Sequence, residues 1–96
     1  MDVFEEIGRI HSACSMMDKA SKILYLKGLW NSLNQYAIQM SDYFRKRSTI
    51  TLGERECAQK LIDMMNEVQA EGLRTQRELA GEYLIEIVKR YSSIDR

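Results

Sequence analysis

At 96 residues with fourteen basic and fourteen acidic side chains, the chain has the size of one domain, residues 1–96, and a formal charge of zero. That balance excludes global electrostatic steering towards nucleic acid or anionic lipid. A composition of 45% hydrophobic and 29% charged residues excludes the disordered class, and no run approaches the length of a membrane-spanning helix.

Proline is absent, which fits a helical chain. Residues 2–18 read as the first helix, with Val3, Ile7, Ile10, Cys14 and Met17 at four-three spacing. Asp2, Glu5 and Glu6 fall in its first turn, where the helix dipole favours negative charge. The acidic Met1–Glu6 stretch has no apolar core and does not read as a secretion signal. The seam then slips by one residue and restarts at Ile23. A slip of this kind predicts a turn near Asp18–Ser21, with Asp18 or Ser21 as cap; the other reading is one continuous helix over 2–46.

The central helix is expected from Ile23 to about Lys46, spanning about 38 Å at ~1.5 Å per residue. Ile23, Leu26, Trp30, Leu33, Ala37, Met40 and Phe44 form its seam. Beside the seam runs a second apolar strip, Tyr25, Leu29, Tyr36 and Tyr43, while Gly28, Gln35 and Asp42 mark a water-facing side. A short connection over 48–50 leads to Thr51-Leu52-Gly53-Glu54, a capping box. The third helix follows to about Glu71 on a seam of Cys57, Leu61, Met64 and Val68, with Ala58, Ile62 and Met65 widening its apolar face. Gly72-Leu73 reads as its stop signal. A second capping box, Thr75–Glu78, opens the fourth helix, to about Tyr91, with Ala80, Leu84, Ile87 and Tyr91 inward. Glu86 is expected to pair with Arg90. The third and fourth helices should form an antiparallel hairpin.

The parts of most enzymes are missing from this pattern. His11 is the sole histidine and flanks a seam, so no zinc or di-iron ligand set can be assembled. The two cysteines, Cys14 and Cys57, lie on seams and read as buried reduced thiols of a cytoplasmic protein. No glycine-rich phosphate loop occurs. Glu78, Glu82 and Glu86 line one helix edge, the pattern of a solvated face. No catalytic residue, metal or cofactor is expected.

What remains is binding. The expected fold is an all-α antiparallel bundle of four helices, or three if residues 2–46 are continuous. The expected state is a homodimer, because a helix that outruns its neighbours and carries a second apolar strip calls for a cover. The leading expectation is a non-enzymatic inhibitor, adaptor or chaperone-like accessory protein. It would hold a protein partner on Tyr25, Leu29, Tyr36 and Tyr43, since tyrosines are enriched where interfaces have one wet side. The alternative is a dimeric regulator contacting DNA or RNA through Arg45, Lys46, Arg47 and Arg55, which cluster around one loop and could neutralise several phosphates.

Overall fold

The computed structural model describes residues 2–71 and 79–91. Among them are five helices and no strand: α1 (Val3–Cys14), α2 (Lys19–Gly28), α3 (Trp30–Arg45), α4 (Leu52–Ala70) and α5 (Leu79–Lys89). Three of these start on side-chain caps; those at Asp18 and Thr51 match the sequence reading, while Asp2, expected in the first turn of α1, is its cap. Asp2 accepts from the Phe4 amide at 3.0 Å, and Asp18 from the Ser21 amide at 2.8 Å. Thr51 accepts from the Glu54 amide at 3.0 Å, while Glu54 Oε1 accepts from the Thr51 amide at 2.9 Å, which closes the capping box. The Gly72-Leu73 stop and the Thr75–Glu78 box lie outside the described residues.

The slip between the first two seams is a true break. α1 ends at Cys14, a turn follows, and Asp18 caps α2, so residues 2–46 are not one helix. The expected central helix is also interrupted, which raises the count from four helices to five. The lapse is at Leu29, where φ is −100° and ψ is 8°. Its amide is shared between the carbonyls of Tyr25 at 3.2 Å and Leu26 at 3.1 Å, a local tightening of the last turn of α2. Glycine at 28 weakens the ladder there by about 1 kcal/mol relative to alanine. Leu29 itself has no side chain that can cap α3. The interruption leaves the seam in phase: all seven residues from Ile23 to Phe44 are buried.

Contacts at the helix ends fix the directions. Cys57 Sγ meets the Phe4 carbonyl at 3.5 Å, while His11 and Cys14 lie beside Asp63, Met64 and Glu67, so α1 runs parallel to α4. Arg55, in the first turn of α4, donates to the carbonyl of Tyr91 just past α5 at 2.5 Å, and Met65 lies against Gly81. Hence α4 and α5 are antiparallel. The Tyr91 hydroxyl sits 2.5 Å from the Phe44 carbonyl and 2.8 Å from that of Arg47, which sets α5 parallel to α3. The one proton of this hydroxyl serves these two carbonyls by turns or shared, at the end of α3 where the last carbonyls lack intrahelical partners.

α2 lies across the C-terminal part of α4, where Lys22–Glu67 at 2.9 Å and Lys19–Glu71 at 3.4 Å bridge the two. The length expected to overhang the bundle is therefore covered within the chain. Ile7, Ile10, Leu26, Leu33, Met40, Phe44, Leu61, Val68, Leu84 and Ile87 form the dry centre. Burying each such side chain contributes about 1.5–3 kcal/mol against the entropy of ordering the chain.

Candidate functional site

The aromatic strip is only half open. Tyr25, Leu29, Tyr36 and Tyr43 are each partly buried and packed against the core. Tyr43 is the most engaged of the four. Its ring meets Phe4 edge-on at 5.1 Å and Phe44 at 5.7 Å, and the Arg47 guanidinium carbon stands 4.2 Å over it. Its hydroxyl donates to Glu54 Oε2 at 2.6 Å. That hydrogen bond holds the phenol above its ordinary range, and burial adds to the shift. The cover comes from α1, whose Phe4 flanks its own seam and reaches across to α3.

The four basic residues do gather at one end of the bundle, but three of them have partners within the chain. Arg45 pairs with Asp42 at 2.7 Å, Arg47 stacks on Tyr43, and Arg55 holds the Tyr91 carbonyl. Lys46 is exposed. Asp42 and Glu54 stand among them and reduce the local positive field.

A further apolar surface lies between α3 and α5. A groove of about 630 Å³, open to solvent, is lined by Asn31, Asn34, Gln35 and Ile38 on one side and Ala80, Glu82, Tyr83 and Glu86 on the other. Ile38 is 43% exposed and Tyr83 42%. Asn34, only 6% exposed, donates from its amide to the Trp30 carbonyl at 2.8 Å, and its carboxamide oxygen is buried with no partner. An unpaired buried acceptor is costly, so this polar group is poorly explained by packing alone.

Sequence reasoning missed this groove. The signal was available: Asn31, Gln35, Ile38 and Asp42 keep four-three spacing on the side read as facing water. An isoleucine in the middle of that polar row is the anomaly. The partner wall could not be paired with it from the sequence, because Tyr83 lies 45 positions further along.

Chemistry at the other ionisable clusters is limited. His11 and Cys14 share a cleft of about 190 Å³ with Lys22, Asp63 and Glu67. Burial pushes the Cys14 thiol up, away from the thiolate a nucleophile needs, and it does the same to Cys57. Both cysteines are unbridged. Among the described residues, no three His, Cys, Asp or Glu side chains are placed to hold a metal ion. Glu82 and Glu86 are exposed, and Glu86 lies 3.8 Å from Lys89 rather than meeting the expected Arg90. No described helix is long and apolar enough to cross a membrane.

Comparison with known proteins returned no matching family, no matching curated protein and no matching solved structure.

Proposed function

We propose that the chain is a non-enzymatic protein-binding module, an inhibitor, adaptor or chaperone-like regulator, whose working surface is the α3–α5 groove. One observation carries this reading: Ile38 and Tyr83 stay more than two-fifths exposed on facing walls of a groove, while their helices are otherwise closely packed. Exposed apolar side chains scattered singly, such as Leu24 and Met16, need no explanation. Two that share one groove with the buried Asn34 and a polar rim have the make-up of a docking site. Unbridged thiols fit a reducing compartment such as the cytoplasm.

The expected homodimer rested on an overhanging central helix and on the strip beside its seam; α2 packs on α4, and the strip is half-buried against the core. A partner protein is therefore the better-supported occupant. Binding of DNA or RNA at Arg45–Arg55 has less support, since Arg45, Arg47 and Arg55 already have partners in Asp42, the Tyr43 ring and the Tyr91 carbonyl.

The test is quantitative capture from a lysate of the source cells, with and without nuclease. The wild-type chain should retain a protein that Ile38→Glu loses at equal folded content, and nuclease should change nothing. Capture unaffected by Ile38→Glu contradicts the reading. Capture lost on nuclease treatment and in an Arg45/Lys46/Arg47→Ala variant would establish the nucleic-acid alternative instead.

A further inference from the structure

We infer that the occupant of the groove is an amphipathic helix with basic side chains along one border of its apolar edge; this rests on the groove being the working surface. The shape argues for a helix. The two walls are helices running parallel, and the trough between two such ridges is filled by a third helix packing its side-chain ridge into them. Ile38 and Tyr83 face each other across the trough and supply the apolar contact.

Charge selects the kind of helix. The α5 wall carries Glu82 and Glu86, one turn apart and both exposed, with Lys89 3.8 Å from Glu86 on the same helix, while the α3 wall offers the neutral amides of Asn31 and Gln35. No basic residue is among the described residues that line the groove. Arg45, on the same helix as Ile38, is not among the lining residues and is paired with Asp42. A groove with exposed carboxylates on one wall and neutral amides on the other complements lysine and arginine and would repel an acidic segment. The chain as a whole is neutral, so this preference is local to the groove.

The probe is a displayed library of 18-residue peptides with helical apolar spacing and randomised polar positions, panned against the intact chain. Recovered sequences should carry Lys or Arg beside the apolar edge. A recovered peptide with those positions changed to Glu should bind about tenfold more weakly at low salt, and a Glu82→Lys/Glu86→Lys chain should reverse the order. If acidic and basic peptides are recovered equally, or the reversal fails while Ile38→Glu still abolishes binding, the charge inference is overturned and the groove stands. If binding survives Ile38→Glu, or no peptide is enriched, the groove reading falls with it. Sedimentation velocity of the intact chain should show a monomer. A dimer dissociated by Ile38→Glu would make a second copy the occupant and overturn the inference.

Discussion

Tyr43 and Glu54 join the end of α3 to the start of α4: the phenol donates to Oε2 at 2.6 Å while Oε1 of the same carboxylate accepts the Thr51 amide at 2.9 Å. One glutamate thus closes a capping box and anchors an aromatic cluster. Tyr43→Phe keeps the ring contacts with Phe4 and Phe44 and removes only the hydroxyl. Its unfolding midpoint should fall, and by clearly less than that of Tyr43→Ala, which also loses the rings and the Arg47 stack. Equal losses in the two variants would mean that ring packing contributes nothing.

Acid should loosen the same joint. Burial alone would lift the Glu54 carboxyl, but the hydrogen bonds from Tyr43 and Thr51 and the charge of Arg47 outweigh it and hold the group below the usual glutamate range. Asp18 is lowered as well, chiefly by the Ser21 amide it caps. A carboxyl depressed on folding adds stability above its unfolded value, about pH 4, and that stability is lost as pH falls through the folded value. Thermal midpoints should therefore stay level from pH 7 to about 5 and drop below that. Glu54→Gln should lower the midpoint at pH 7 and make the acid drop smaller.

Gly8 sits inside α1 with open space where a Cβ would stand. Gly8→Ala should stabilise the chain by about 0.5–1 kcal/mol through helix propensity alone. On a domain of this size that raises the midpoint by several degrees. A destabilised variant would show that the space beside Gly8 is needed.

Core and groove separate on a pair of truncations in the same helix. Leu33 is fully buried, so Leu33→Ala should cost about 2–5 kcal/mol in denaturant unfolding. Ile38→Ala, at a position 43% exposed, should cost under about 1 kcal/mol. A large loss at Ile38 would make it a core residue and weaken the docking reading.

The inward face of the fold was legible because it depends on one-dimensional spacing. The seam from Ile23 to Phe44, the caps at Asp18 and Thr51, and the break before α2 all follow from residue type and period. The lapse at Leu29 was hidden, since Leu26 and Trp30 keep their spacing across it and no proline marks it. Gly28 was the cue, and it reads equally well as one more residue of the water-facing side. The cover over Tyr43 was hidden, because Phe4, 39 positions before it, could not be placed against it from the sequence. Of the groove, the α3 wall was legible in Ile38, and its pairing with the α5 wall was not, because the two meet only in three dimensions.

The central claim, that the groove receives the partner, is tested most directly by methyl NMR of the isoleucine-labelled chain titrated with a captured partner or a recovered peptide. The Ile38 δ1 methyl should shift and saturate with the binding curve, while Ile50, in the loop after Arg47, stays in place. Saturable binding that leaves Ile38 unmoved and shifts Ile50 would contradict the account and move the working surface to the basic end.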